Sequence, residues 1–289
     1  MTPAGGAGLA LPGRPRPGRP VRTVAVVESG LHCRVLGPLE CTVDGGAVHL
    51  GGPTPRRLVA ALSAAHGAPL TDAALVELAW RGSAPPGAVD ALRVLVSRLR
   101  SALGPAARDQ LRRGPGGYSL DLPDGATDHG RFGASVRRGR RLLAEGQPRE
   151  AAAAFEAALA LWRGQPWTEL DDALLAVGAR AGLVELREVA VEEAQAARLE
   201  LGDAATAVAA LSAAVITAPY RERRWELLAL GLYRGSRQAE ALAQLRRART
   251  VLTGELGIRP GPVLCELERR ILAHDPTLEL PGPVRARVG

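Results

Sequence analysis

The sequence contains no lysine; all 37 of its basic residues are arginine. This removes the phosphate-loop lysine of G-x-x-x-x-G-K-[ST], the strand lysine of kinases and every Schiff-base lysine, so an ordinary nucleotide-hydrolysing motor or switch is excluded. Cysteine is scarce. Cys33, Cys41 and Cys265 make an odd number and form no C-x-x-C pair, so free thiols in a reducing cytosol are expected rather than a metal clip or a disulfide framework. No apolar run is long enough to cross a bilayer, and no apolar core follows the first basic residues; a cytoplasmic chain with no membrane partner is expected. Aromatic residues are few, and Trp80, Trp162, Trp167 and Trp225 fall at expected helix ends or repeat interfaces, where a large ring packs. His32, His49, His66, His129 and His274 show no i, i+4 pair and no carboxylate at metal spacing. Asp171-Asp172 and Glu192-Glu193 are neighbours, which do not face one another on a helix. No metal, no cofactor and no enzymatic centre is expected.

The 289 residues suit two domains of ordinary size. The net charge of +7 is unevenly placed: residues 1–125 hold 14 arginines against 9 acids, whereas residues 126–280 hold 21 of each. Residues 1–30 are rich in Ala, Gly and Pro, with Arg14, Arg16, Arg19 and Arg22 between them, and are expected to be a disordered tail, as are residues 277–289.

From Leu31 the pattern becomes extended: LHCRVL, then LECTV after Gly37-Pro38, then AVHL after Asp44-Gly45-Gly46, a small antiparallel meander. Helical periodicity begins near Pro55 and stops at Gly67. A second helix follows, with Thr71 as N-cap and Leu70 and Leu75 as staple, ending near Trp80. A third runs from about Ala88 to Leu103, between Pro85-Pro86 and Gly104-Pro105. QLRR and YSLDL around GPGG then predict a hairpin, with Tyr118, Leu120 and Leu122 on one face.

Beyond residue 125 the pattern is helical and repetitive. An Ala-x-x-x-aromatic/Leu-x-x-Ala signature occurs at Ala151/Phe155/Ala158, Ala207/Leu211/Ala214 and Ala241/Leu245/Ala248, and the last two copies are 34 residues apart, the tetratricopeptide period. The first gap, 56 residues, is taken up by a long helical stretch around 172–201, so the array is irregular. The fold class is therefore mainly α. A winged helix-turn-helix over residues 31–124 precedes an all-α tetratricopeptide-like domain over 125–276.

Three helices, a hairpin and a preceding small sheet follow the order of a winged helix, whose third helix enters the major groove. On that helix Leu92, Leu95, Val96, Leu99 and Leu103 form the packing side, leaving Arg93, Val94, Ser97, Arg100 and Ser101 for DNA. Arginine forks onto guanine, serine bonds phosphate or base, and Val94 suits a thymine methyl. Arg98 projects elsewhere and is assigned to a phosphate or an intradomain acid. Arg112 and Arg113 precede the hairpin tip, where a wing meets the DNA backbone or minor groove.

The segments RVLGPLECTVDGGAVHLGGPTPRRLVAAL, LVELAW, VSRLRSALG and GPGGYSLDL resemble the OmpR-like winged helix of the SARP (antibiotic regulatory protein) family. ALALWRGQPW and the run LYRGSRQAEALAQLRRARTVLTGELGIRPGPVLCELERRIL resemble the bacterial transcriptional activation domain that follows it there. The resemblance covers roughly residues 31–276. It implies a pathway-specific activator that binds direct repeats of double-stranded promoter DNA and contacts RNA polymerase, commonly for a specialised-metabolite gene cluster. The nucleotide-binding domain of larger relatives is not expected here, given the length and the missing lysine. Thr54-Pro55, Arg93 and Leu95 depart from the family's usual residues, so its target sequence does not transfer. Tandem half-sites would place protomers side by side as a homo-oligomer on DNA, though no leucine zipper is present. The alternative reading is a protein-interaction scaffold using the helical repeats, with a winged helix that does not read DNA.

Overall fold

The computed structural model describes residues 30–105, 108–171 and 173–280. The expected N-terminal tail up to residue 29, residues 281–289 of the C-terminal one, and Asp172 lie outside them.

Strands β1 (Leu31–Arg34), β2 (Glu40–Val43) and β3 (Gly46–Ala47) form an antiparallel sheet in that order. The third strand, expected over 47–50, is only two residues long; its pairing ends as the Val48 N–H reaches the Cys41 carbonyl at 2.9 Å. Helix α1 (Pro53–Ala64) starts two residues before the expected Pro55, because prolines at the first helical positions give up no hydrogen bond. Helix α2 (Asp72–Trp80) is capped by Thr71, whose Oγ1 accepts from the Ala74 N–H at 3.2 Å. Helix α3 (Ala88–Leu103) has the bounds that its flanking Pro and Gly residues predict. Strands β4 (Leu111–Gly114) and β5 (Gly117–Leu120) form the hairpin. Leu58, Leu62, Leu75, Leu92, Val96, Leu99 and Tyr118 are buried in one core, giving a winged helix-turn-helix. The wing is tied back to the connection between α1 and α2 by two backbone bonds between Leu70 and Tyr118, at 2.8 and 3.0 Å. Gly117 makes this approach feasible: at φ +116 its Cβ would lie 2.0 Å from the Leu70 carbonyl oxygen.

The helical half comprises α4 (Asp128–Ala144), α5 (Pro148–Leu159), α6 (Leu174–Glu200), α7 (Ala204–Thr217), α8 (Glu222–Arg234), α9 (Gln238–Leu256) and α10 (Pro262–Leu272). From α4 to α9 each helix packs on the next. Eight of the nine signature residues, Ala151, Phe155, Ala158, Ala207, Leu211, Ala241, Leu245 and Ala248, are buried there, because small residues one turn from a large one let helices approach closely, whereas Ala214 is only half-buried. Between α6 and α8, the buried Arg224 is clasped by Glu188 and Glu192. Residues 277–280, expected in a tail, are instead placed. Pro276–Leu278 forms a 3-10 turn, Leu278 is buried in the second core, and its carbonyl accepts from Arg234 Nε at 2.9 Å. Among the described residues, no helix is long and apolar enough to cross a membrane.

Helix α6 is 27 residues long because its two ends have different partners. Its later turns carry Ala190, Ala194 and Ala197 into the core with Phe132 and Phe155, whereas Ala176 joins the winged-helix core. Trp167 and Leu170, from the loop before α6, join that core too. The joint is polar as well as apolar. The Asp128 carboxylate is fully buried at the start of α4 and accepts the N–H groups of Val35 and Leu36 at 2.7 and 3.0 Å. The N–H groups of Trp167 and Arg163 donate to the carbonyls of the same two residues, at 2.9 and 2.7 Å. Leu39 N–H and Arg56 Nη2 both donate to Glu169 Oε1, at 2.8 and 2.7 Å. Gly37 suits the contact: at φ +145, a Cβ there would stand 2.8 Å from the Cβ of Arg163.

His66 and His129, 63 positions apart, meet at this joint with Nδ1 and Nε2 3.2 Å apart, both rings lying beside Trp167. Burial first, and the neighbouring His66 second, push His129 down to about 4, against the pull of Asp128 and Asp124. The unfolded chain therefore binds this proton more readily than the folded one. Stability is expected to be full above about pH 6.5 and to fall as the pH drops from there to about 4, by about 3 kcal/mol in total. Urea unfolding across that window should show the loss, and His129→Gln should flatten it; an unchanged slope in the variant would assign the loss to other groups.

Candidate nucleic-acid interface

Helix α3 presents what its periodicity predicts. Leu92, Val96, Leu99 and Leu103 are buried and Leu95 is half-buried, while Arg93, Val94, Ser97, Arg98 and Ser101 are exposed. The exposed residues divide between two flanks. Ser97, Arg100 and Ser101 line an open groove of about 680 Å³ together with Arg108, Arg112 and Arg113 from the hairpin side. Val94 and Arg98 line a second, more apolar depression of about 380 Å³, against Thr54 of α1 and Trp80 of α2. Arg93 lies in neither and stands exposed on the first half of the helix.

Each arginine of the groove is oriented by a weak or replaceable contact, except one. Arg112 Nε donates to the Asp109 carbonyl at 3.1 Å, and its Nη1 lies 3.4 Å from Asp121. Arg113 lies over the Tyr118 ring, 4.7 Å from its centroid, and its Nη2 donates to Asp72 at 3.1 Å. Tyr118 first and Asp72 second raise its pKa, so it stays cationic. Arg108 sits 3.6 Å from Asp109. Exposed pairs of this kind are screened by water and salt, add little to stability and exchange readily for phosphate.

The exception is Arg100. It is half-buried, and both its Nε and Nη2 donate to the Leu111 carbonyl, at 3.1 and 2.7 Å. That fork fixes the angle between α3 and the first strand of the wing, so its role is positioning as well as charge. Arg93, by contrast, is bound through Nη1 to the exposed Asp90 one turn earlier, at 2.8 Å. Ser101 Oγ donates to the Ser97 carbonyl at 3.1 Å, an intrahelical bond that rotation of the hydroxyl can exchange for another acceptor.

Arg108 belongs to this surface although it was not singled out among the candidate residues. The signal was present, since it lies within the run from Ala91 to Leu120 that carries six arginines against one acid. The 3-10 turn Arg108–Gln110 brings it beside the wing. Among the described residues, no three His, Cys, Asp or Glu side chains gather in a way that could hold a metal ion.

Residues 127–272 match the family model described as bacterial transcriptional activator domain. The transcriptional regulatory protein EmbR of Mycobacterium tuberculosis is 36% identical over 255 residues, which cover 87% of this chain and 66% of EmbR. The transcriptional regulator RedD of Streptomyces coelicolor is 35% identical, with 86% of this chain and 72% of RedD covered. The solved structure of Mycobacterium tuberculosis EmbR in complex with a low affinity phosphopeptide superposes with a TM-score of 0.78 at 36% identity, covering 86% of this chain and 66% of that one. The chain thus spans just under two thirds of the length of EmbR. With the winged helix and the repeat domain both in place, the chain belongs to the SARP family of regulatory proteins.

Proposed function

We propose that this protein is a cytoplasmic, sequence-specific DNA-binding transcriptional regulator without enzymatic activity. It acts as a pathway-specific activator that binds direct repeats at promoters and recruits RNA polymerase, for a specialised-metabolite gene cluster. The observation that carries this reading is the exposed face of α3, with Arg93, Val94, Ser97 and Ser101, flanked by the groove containing Arg100, Arg108, Arg112 and Arg113. Arg93, Val94 and Ser97 are assigned to base edges, Ser101 and Arg98 to phosphates on either flank, and Arg112 and Arg113 to the backbone beside the wing. Arg100 adds positive charge while holding the wing. Relatives named as transcriptional regulators support the reading. RNA polymerase and a second protomer on the adjacent half-site are the protein partners proposed.

The test is binding of the purified chain to its neighbouring promoter fragment and to scrambled DNA across a salt series. A preference of roughly a thousandfold at physiological salt is expected, with log affinity falling linearly with log salt as phosphate contacts release counterions. Equal, weak binding to both DNAs would overturn it and move attention to protein partners of the helical repeats.

A further inference from the structure

Two of the three cysteines, unpaired in the linear sequence, meet in the fold. Cys33 on β1 stands directly opposite Cys41 on β2, with their Sγ atoms 3.2 Å apart and both side chains buried. The Asp44 N–H donates to the Gly30 carbonyl, which makes residues 30 and 44 a hydrogen-bonded pair. Counting along the antiparallel ladder, Cys33 and Cys41 fall three steps on, at a non-hydrogen-bonded position. Cα atoms there approach to about 4.5 Å, inside the range that a disulfide bridges without large backbone movement.

The segment between them is the part of the winged helix that docks on the helical half. The Val35 and Leu36 N–H groups donate to the Asp128 carboxylate, and their carbonyls accept from the N–H groups of Trp167 and Arg163; the Pro38 carbonyl accepts from Arg163 Nη1, and the Leu39 N–H donates to Glu169. Cys33 itself forms a backbone bridge with Thr127, just before α4.

We propose that Cys33 and Cys41 are a redox dithiol that closes to a cross-strand disulfide in the folded protein, with hydrogen peroxide as electron acceptor, stapling the loop that docks the winged helix on the helical half. Cys41 is the first to react. It is slightly less enclosed than Cys33, and on its other side its carbonyl accepts only from the Val48 N–H, just past the two-residue edge strand β3. Its thiolate attacks one peroxide oxygen, the O–O bond breaks, and the departing hydroxide takes up the thiol proton as water. The Cys33 sulfur then displaces the oxygen of the Cys41 sulfenic acid, which leaves as a second water carrying the Cys33 proton. Two thiols are oxidised by two electrons and one peroxide is reduced to two waters. Its hydrogen bond with Cys41 and its burial hold the Cys33 thiol well above its usual range, so closure is expected to be slow at neutral pH and to quicken as the pH rises.

The experiment uses the full chain carrying Cys265→Ser, which removes the exposed third thiol. The folded protein is treated with hydrogen peroxide, then unfolded and labelled with a maleimide, and intact mass and peptide maps are recorded. The expected result is joint loss of both labels, a mass lower by two hydrogen atoms, a cross-linked peptide joining residues 33 and 41, and full recovery with dithiothreitol. Two results would overturn the proposal: both thiols still labelled under peroxide that oxidises Cys265 in the unaltered chain, or Cys41 accumulating as sulfinic acid beside a free Cys33. Closure only in denaturant counts against it equally. The outcome does not depend on whether the protein reads DNA.

Discussion

Replacing Trp167 with alanine is expected to lower the free energy of unfolding by about 3–5 kcal/mol. The indole is fully buried in the core of the winged helix, yet it belongs to the loop before α6. Its Nε1 donates to Ser63 Oγ at 2.9 Å, across 104 positions of sequence. Its backbone sits at φ 49, a left-handed conformation that costs a non-glycine residue about 1–2 kcal/mol. Arg180 holds that conformation, donating through Nε to the Pro166 carbonyl and through Nη2 to the Trp167 carbonyl, at 2.7 and 2.6 Å. Without the ring, the strain and the buried guanidinium remain while the apolar contacts are lost. Trp167→Phe keeps much of the apolar area but not the hydrogen bond, and is expected to cost less. Urea unfolding followed by circular dichroism measures both. A loss below about 1 kcal/mol for the alanine variant, in the range of an ordinary surface substitution, would show that the ring does not hold the two halves together.

The second large effect concerns DNA. Arg93→Ala is expected to cost about 1–3 kcal/mol of preference for promoter over scrambled DNA, with scrambled DNA binding little changed. Arg93 is exposed, and its bond to Asp90 is easily given up, so its fork is available to a base edge. Arg112→Gln should behave differently, weakening both DNAs alike and reducing the salt slope by about one, as a lost phosphate contact does. Competition binding at two salt concentrations separates the patterns. If the two variants exchange behaviours, the base reader lies on the wing side of the groove. If neither changes binding, the face of α3 is not the DNA surface.

Much of the architecture was legible because the signals are local. Pro85-Pro86 and Gly104-Pro105 bracket α3, and its leucine spacing picks out the buried side without knowledge of any neighbour. Thr71 caps α2 through an atom three residues away. The repeat signature worked for the same reason, since a small residue one turn from a large one is a property of a single helix. The flanks of the site were less legible. Arg100 reads as a base reader on a helical wheel, but only the position of β4 shows its guanidinium bound to the Leu111 carbonyl.

What the sequence by itself determined is the order of elements and the face of α3 left to solvent, consequences of periodicities of 3.6 and 2 and of Gly and Pro at fixed places, together with the clustering of positive charge between Ala91 and Leu120, which follows from residue type alone. What only the tertiary structure decided is the joint. Ser63 with Trp167, His66 with His129, and Val35 and Leu36 with Asp128 are separated by 63 to 104 residues, and Cys33 faces Cys41 only through the strand register. Such pairs leave no periodic trace in the sequence. Each is set by the requirement that polar groups removed from water find partners, a condition met by whichever distant residues the packed helices bring within reach.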